Sequence, residues 1–172
     1  MSEVAIVPNK VLRQKALQVV KFDRRVIRII AQMRKVLREQ KEPEGVGLAA
    51  PQIGHGLRII AVKEITAENR AEPPILALIN PRVTHQSKEK DLDWEGCLSI
   101  PDQFGQVWRS RKVTVKAENL HGHKIILKAE GFLARVLQHE IDHLDGALFT
   151  DKVVGRIYSG QELAEISLRC TV

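Results

Sequence analysis

The chain has 172 residues, of which 44% are hydrophobic, 28% are charged and 4% are aromatic. This composition is that of a globular protein, and the length suits a single domain over residues 1–172 with a mostly aliphatic core. No apolar run approaches the ~20 residues of a membrane-spanning helix, and there is neither a signal or transit peptide nor a disulfide scaffold, so a cytoplasmic protein is expected.

The positive charge is concentrated near the N-terminus. Residues 1–41 contain eleven Lys or Arg and three Asp or Glu, a net charge of +8, whereas the whole chain carries +6. Such a segment is either the solvated face of a helix or a surface for a polyanion such as nucleic acid. The sequence alone leaves both interpretations open.

The N-terminal quarter predicts one long amphipathic helix. Asp23 is a suitable N-cap, and Pro43 and Gly45 are expected to end the helix. Between them, apolar residues recur with the helical period at Val26, Ile29, Ile30, Met33, Val36 and Leu37. Residues 4–20, before this helix, predict an extended segment followed by a short helix.

Short apolar runs separated by turn residues predict antiparallel strands in the middle of the chain. These strands cover residues 57–62 and 75–79, and Asn80-Pro81 is expected to close the second one. Polar loops are predicted at 66–74 and 87–93.

A β-hairpin is predicted next, with strands at 111–118 and 124–129 and Gly122 at the turn. The final helix before the tail should begin at Gly131 and stop at Asp145-Gly146. The tail is expected to be strand-like at Leu148-Phe149 and irregular or briefly helical beyond it.

The segment Gly45–Gly54 alternates glycine with apolar residues and includes Ala49-Ala50. Small side chains of this kind allow a backbone to pass close to another group. The segment is not a phosphate loop, because the Lys-Ser/Thr pair of that motif is absent. By itself it indicates either a tight turn or part of a site.

The segment Gln138–His143 contains the pattern His-Glu-x-x-His on the predicted final helix. Residues four apart share a helix face, so His139 and His143 can hold one metal ion between them. Glu140 can then take a proton from water that the metal activates. The plainer alternative is a helix with two surface histidines.

Cys97 and two apolar residues are further candidates for this site. Cys97 is either a buried structural thiol or the third metal ligand, which leaves one position open as catalytic sites do. Phe132 and Val136 precede His139 by seven and three residues and therefore share its helix face. They could form an apolar substrate pocket.

Three segments together carry a resemblance to a known family. In chain order they are GVGLAAPQ at residues 45–52, EGCLS at 95–99 and QHEIDH at 138–143. This combination resembles peptide deformylase, which removes the formyl group from the initiator methionine of nascent chains and releases formate. The resemblance implies one divalent metal ion per chain, generally Fe²⁺ in the cell, with Zn²⁺ or Ni²⁺ in some preparations.

The resemblance also implies roles for individual residues. Cys97, His139 and His143 would bind the metal, and Glu140 would be the general acid and base. The Gln52 side-chain amide and the Leu98 backbone N–H would face the formyl oxygen. The residues expected to contact the substrate are Val46, Gly47 and Gly96, together with Phe132 and Val136.

Other positions supplement or depart from the family pattern. We expect Arg109 to pair with Asp142, because a helix that carries metal ligands needs a fixed orientation. Some family members have an arginine, a few residues beyond CLS, that contacts substrate, and Phe104 stands near that position here. Some also dock on the ribosome through a basic C-terminal helix, but this tail is charge-neutral, so the basic segment 1–41 is the better candidate for transient ribosome association.

Three competing interpretations follow from the residues. The first is a zinc peptidase that takes its third ligand from Glu162 or Glu165. The second is a non-catalytic domain that binds polyanions and holds a structural metal, with His121 or His123 as the fourth ligand. The third keeps the fold and changes the acyl group removed.

The overall expectation is an α+β fold. A single domain of short, mostly antiparallel strands would pack around a central metal-bearing HExxH helix, with an amphipathic helix near the N-terminus. Its substrates would be N-formyl-methionyl peptides, and neither a membrane nor a direct role in nucleic-acid binding is required.

Overall fold

The computed structural model describes residues 4–40, 45–64 and 73–169, the last three of these by their backbone alone. Its helices are α1 (Arg24–Glu39), α2 (Gly131–Leu144) and α3 (Gly160–Arg169). Its strands are β1 (Gly47–Ala49), β2 (Ile59–Lys63), β3 (Ile75–Gln86), β4 (Lys90–Cys97), β5 (Ile100–Ser110), β6 (Lys112–Glu118), β7 (Lys124–Glu130) and β8 (Val153–Tyr158). None of the helices in this part of the chain combines the length and apolarity that a membrane span requires.

The strands form two antiparallel sheets. The larger sheet has the order β1-β2-β3-β6-β7, and the smaller one has the order β4-β5-β8. All of the paired strands run antiparallel to each other. The predicted α+β class with mostly antiparallel strands is therefore confirmed. Strand β3, with 12 residues, is longer than predicted, and β5, with 11 residues, was not predicted.

Helix α1 covers part of the larger sheet. The Asp23 carboxylate accepts hydrogen bonds from the backbone N–H groups of Arg25 and Val26 at 2.9 and 3.2 Å, so Asp23 caps the helix. All six apolar positions that the sequence singled out are buried, and they pack against β1, β2 and β3 in one hydrophobic cluster. Pro43 lies outside the described residues.

Helix α2 lies between the two sheets. Its apolar side, which includes Leu137 and Leu144, packs on the larger sheet. On the other side, the Gln138 amide exchanges two hydrogen bonds with the backbone of Ser110 at the end of β5, at 3.1 and 2.9 Å. These bonds satisfy a buried amide and fix α2 against the smaller sheet.

Two predicted boundaries in the middle of the chain were wrong. Strand β3 continues through Asn80-Pro81 to Gln86, because Pro81 sits where the register with β6 shifts and no ladder hydrogen bond is needed. Asn80 adopts φ +50° there, and its side chain bonds the backbone of Val19. The loop predicted at 87–93 is shorter, since β4 begins at Lys90. Much of the loop predicted at 66–74 lies outside the described residues.

The predicted tail was also wrong in its details. Leu148 is not in a strand, and a short 3-10 turn begins at Phe149. The side chains of Leu148 and Phe149 are both buried. Strand β8 was not predicted, whereas helix α3 agrees with the briefly helical end that the sequence left open. Strand β8 exposes most of its residues and therefore lacks the alternation by which a half-buried strand is recognised in a sequence.

Candidate active site

The candidate site is a cavity of about 390 Å³ between β1, the β4–β5 turn and α2. Ten of the predicted site residues line it: Val46, Gly47, Gln52, Gly96, Cys97, Leu98, Phe132, Val136, His139 and Glu140. Segments that are far apart in the sequence therefore meet at one pocket.

Three side chains at this cavity form a possible metal site. Cys97 ends β4, while His139 and His143 lie one turn apart on α2, and their ligand atoms all lie within 4.8 Å of one another. Cys97 Sγ is 3.2 Å from His143 Nε2, close to the ligand-to-ligand spacing of a tetrahedral site. One thiolate and two imidazoles are a donor set that suits a divalent transition metal.

Glu95 holds the first of these histidines in place. Its Oε2 lies 3.0 Å from His139 Nδ1, so the other ring nitrogen, Nε2, is left to face the cavity. The same carboxylate accepts two hydrogen bonds from Arg109, at 2.8 and 2.9 Å, and one from Arg135 at 2.8 Å. All of these groups are largely buried, so Glu95 anchors a compact ionic network behind the possible metal site.

The network continues to the outer side of α2. Arg109 Nη1 lies 2.5 Å from Asp142 Oδ2, and Lys152 Nζ lies 2.6 Å from the same oxygen. Asp142 precedes His143 on the helix, so this ion pair joins the ligand-bearing turn of α2 to β5. Neither Arg109 nor Asp142 lines the cavity itself.

The carboxylate of Glu140 is buried at the cavity with an unused oxygen. Its Oε2 has no hydrogen-bond partner among the described residues. Burial raises the pKa of Glu140 to about 7, with the charge of His139 lowering it and that of Glu95 raising it. A group with a pKa near neutrality can both accept and return a proton, as acid–base catalysis requires.

Charges also act on the neighbouring groups. Burial raises the pKa of Glu95, but the hydrogen bonds from Arg109 and His139 outweigh it and hold this pKa well below its usual range. The Glu95 carboxylate is therefore ionised throughout the physiological pH range. Burial and the nearby positive groups lower the pKa of His143, which favours the neutral imidazole that binds a metal.

The side-chain amide of Gln52 has a defined orientation. Its Oε1 accepts a hydrogen bond from the Ala49 backbone N–H at 2.7 Å. The NH₂ group consequently points the other way, at 3.5 Å from Cys97 Sγ and 3.2 Å from Ser99 Oγ. A donor is thus aimed at the space beside the three groups of the possible metal site. Leu98 lies in the turn between β4 and β5, next to the strand pair formed by Cys97 and Ile100.

A comparison with known protein families bears on what this site is. The sequence model described as polypeptide deformylase matches residues 1–156. The chain belongs to the polypeptide deformylase family. It is therefore a hydrolase that removes N-formyl groups, and the resemblance drawn from its three sequence segments is confirmed.

Relatives of this deformylase cover most of its length. A peptide deformylase of Halothermothrix orenii is 45% identical over 152 residues, which are 88% of this chain and 93% of that protein. One of Natranaerobius thermophilus is 47% identical over 144 residues, or 84% and 86% of the two chains.

Solved structures agree with the fold. The crystal structure of the Thermotoga maritima peptide deformylase matches with a TM-score of 0.79 at 35% identity, covering 90% of this chain and 99% of that one. The Synechococcus elongatus enzyme, solved in complex with actinonin, matches with a TM-score of 0.80 at 37% identity, covering 90% and 81%.

The residues of the competing interpretations do not come together at the deformylase cavity. Glu162 instead bonds the Ser159 backbone and Arg156, and Glu165 bonds Gln161. His121 and His123 lie in the exposed hairpin turn. Within the described residues, the only cluster able to hold a metal is that of Cys97 and the two histidines of α2.

Sequence reasoning missed three members of the ionic network, Glu95, Arg135 and Lys152, and one polar contact of Gln52. Glu95 was noted only as a letter of the EGCLS segment, and Arg135 was not singled out. Arg135 precedes His139 by four residues and thus lies on its helix face, which is a signal that could have found it. Ser99 was not predicted to contact Gln52, and no sequence pattern indicates that contact.

Proposed function

We propose that this enzyme hydrolyses N-formyl-methionyl peptides at one divalent metal ion bound by Cys97, His139 and His143. The observation that carries the proposal is the convergence of these three ligand atoms with the buried, unpartnered Oε2 of Glu140. Their donor set fits Fe²⁺, which we propose as the metal in the cell, and also Zn²⁺ and Ni²⁺.

The bound ion would activate the attacking water and polarise the formyl carbonyl. Glu140 accepts the proton that water loses when it attacks the formyl carbon. Glu140 then returns this proton to the leaving amine, which frees the peptide and formate. Its position beside His139 and its pKa of about 7 support both roles.

The developing negative charge on the formyl oxygen needs hydrogen-bond donors. We assign these to the Gln52 NH₂ group and the Leu98 backbone N–H. The bond from Ala49 N–H to Gln52 Oε1 supports this assignment, because it holds the donor end of the amide in place before the reaction begins. A donor fixed in this way stabilises the transition state without reorganisation cost.

The remaining cavity walls are assigned to the substrate. Val46, Gly47 and Gly96 would contact the peptide backbone or the methionine, and the apolar side chains of Phe132 and Val136 would surround the methionine side chain. Formyl is the smallest acyl group, and it suits a cavity whose wall beside Glu140 includes Gly47, which has no side chain. The Synechococcus elongatus relative binds actinonin, and we expect actinonin to occupy the same cavity here.

The basic segment 1–41 is proposed as a surface for transient association with the ribosome. Apart from Arg34, the arginines of α1 and its one lysine, Lys35, are exposed and lie away from the helix face that packs on the sheet. A polyanionic partner such as ribosomal RNA suits this charge. Association that weakens steeply with added salt would support the surface, whereas binding unchanged by salt would argue against it.

Formate release from formyl-Met-Ala-Ser tests the catalytic proposal. The protein is loaded anaerobically with Fe²⁺, Ni²⁺ or Zn²⁺ in turn and compared with Glu140→Gln. We expect release by the wild type and a loss on the order of 10²–10⁴-fold in the variant, at unchanged metal content. Full metal loading without formate release would overturn the proposal, and the unformylated peptide would then be tested for cleavage.

A further inference from the structure

One border of the cavity is formed by the first residues of β5. Pro101, Asp102, Gln103 and Phe104 line the cavity there, together with Trp94 of β4. This border, residues 101–104, is called the rim below. The rim contacts the C-terminal segment around residues 158–160, which lies beyond residue 156, where the match to the family ends.

Asp102 links the rim to the start of α3. Its Oδ1 accepts a hydrogen bond from the Gly160 backbone N–H at 2.9 Å. Asp102 itself has φ +55°, a left-handed conformation that side chains other than those of Asn and Asp rarely adopt. The carboxylate thus compensates for an unfavourable backbone by holding the C-terminal segment.

Phe104 is enclosed by two glycines. A Cβ at Gly96 would lie 2.7 Å from Phe104 Cε1, and a Cβ at Gly160 would lie 3.5 Å from Phe104 Cε2 and 2.7 Å from Asp102 Oδ1. Phe104 also pairs with Tyr158 across β5 and β8. The phenyl ring therefore has little freedom while residue 160 stays in place.

The C-terminal segment is itself well anchored. Glu162 accepts a hydrogen bond from the Ser159 N–H at 2.9 Å and pairs with Arg156 at 2.9 Å. The Arg156 guanidinium lies 4.1 Å from the centre of the Tyr158 ring, and Tyr158 meets Trp94 edge-to-face at 5.2 Å. Contacts from this segment thus reach two residues of the cavity wall, Trp94 and Phe104.

We infer that Asp102 and Gly160 are positioning residues which hold the rim in the shape that binds the residues after formyl-methionine. This inference rests on the proposed function, in which the cavity receives the peptide. The formyl group lies near Glu140 and Gln52, and the methionine side chain lies by Phe132 and Val136. The rim and Trp94 form a further wall of the cavity, which is available to the following residues.

Kinetics with two substrate lengths test the inference. For Asp102→Ala, KM for formyl-Met-Ala-Ser should rise about three- to tenfold, the equivalent of one lost hydrogen bond, with kcat unchanged. KM for formyl-Met alone should not change. Asp102→Asn keeps both the acceptor and the tolerance of a left-handed backbone, so it should restore the wild-type KM. In Gly160→Ala, the added Cβ would lie too close to Asp102 Oδ1 and so disturb the same hydrogen bond. This variant should therefore behave like Asp102→Ala.

A binding measurement separates this role from general destabilisation. The chain has two tryptophans, so Trp108→Phe leaves Trp94 as the only fluorescent reporter in the cavity wall. Titration with the product Met-Ala-Ser should show weaker binding for Asp102→Ala in this background. Gln161→Ala, an exposed change next to Gly160, is the matched control and should bind normally.

The possible results distinguish two failures. If the wild type hydrolyses formyl peptides but Asp102→Ala and Gly160→Ala bind and turn over both substrates normally, the inference is wrong and the proposed function stands. An equal rise in KM for both substrates, or failure of Asp102→Asn to restore it, would also overturn the inference. Absence of formyl hydrolysis by the metal-loaded wild type would overturn the proposed function.

Discussion

Gly47 on β1 lies directly against the side chain of Glu140 on α2. A Cβ at residue 47 would be 2.9 Å from both Cγ and Cδ of Glu140, a separation that real Cβ atoms essentially never show. Gly47 does not adopt a left-handed conformation, so close packing explains its identity. The close backbone approach predicted from the glycines of 45–54 is here an approach to the proposed catalytic base.

Gly47→Ala should therefore displace Glu140 without removing it. We expect kcat to fall on the order of 10²-fold, since a misplacement of about 1 Å can cost that much. Metal content should not change, because Glu140 is not a ligand. Gly56→Ala is the matched control, as a Cβ there meets nothing within 4 Å. Equal activity of the two variants would show that the contact with Glu140 is unimportant.

Replacement of Glu95 should affect stability and metal binding together. In Glu95→Ala, Arg109 and Arg135 lose a buried carboxylate, and His139 Nδ1 loses its partner. Breaking a buried ion pair costs about 3–5 kcal/mol of unfolding free energy. Loss of a group that orients a ligand lowers metal affinity about 10–100-fold. Chemical denaturation and competition with a metal-sensitive dye would measure the two effects.

A neighbouring carboxylate supplies the control for Glu95. Asp93 also pairs with Arg135, at 4.0 Å, but 61% of its side chain is exposed. Asp93→Asn should change the unfolding free energy by less than about 1 kcal/mol and leave metal affinity intact. If Glu95→Ala binds metal as tightly as Asp93→Asn does, then Glu95 does not orient His139.

Gln52→Glu should separate transition-state stabilisation from substrate binding. A glutamate can still accept the Ala49 N–H through one oxygen, but it places a carboxylate oxygen where the NH₂ donor stood. We expect kcat to fall about 10²–10³-fold, the usual cost of losing one oxyanion donor, with a much smaller change in KM. A rise in KM at constant kcat would instead show that Gln52 only binds the ground state.

The elements that were predicted well are those whose signal is local. Helix α1 has an N-cap and a regular apolar face, and the hairpin of β6 and β7 has strand alternation around a glycine turn. The pattern of His139, Glu140 and His143 lies within one helix, so its geometry follows from the helical period. Such features need no knowledge of which segments meet in space.

The features that were missed depend on contacts between distant segments. Strand β5 buries Arg109 as well as Val107, so a charged residue interrupts its apolar face. That charge is tolerated only because Glu95 and Asp142 lie opposite it. The role of Glu95 likewise appears only when β4, β5 and α2 are assembled, and no spacing along the chain indicates it.

A pair of exposed charges gives a prediction about pH. Arg13, near the N-terminus, donates hydrogen bonds to Asp151, at 2.5 and 3.0 Å, and thereby holds the pKa of Asp151 below its usual range. A depressed pKa stabilises the fold above the pKa of the unfolded chain, about 3.9, and this stabilisation is lost as the pH falls through the lower folded value. The side chains are 47% and 40% exposed, so the contribution is at most about 1 kcal/mol.

Asp151→Asn should therefore unfold more easily than the wild type at pH 7, and the difference should shrink below about pH 4. Arg13→Gln should lose the same increment, and the double variant should lose little more, because both changes remove one interaction. Urea denaturation of the four proteins across pH 3 to 8 provides the measurement. Additive losses from the two single changes would show that Arg13 and Asp151 stabilise the fold independently, whatever their distance in the structure.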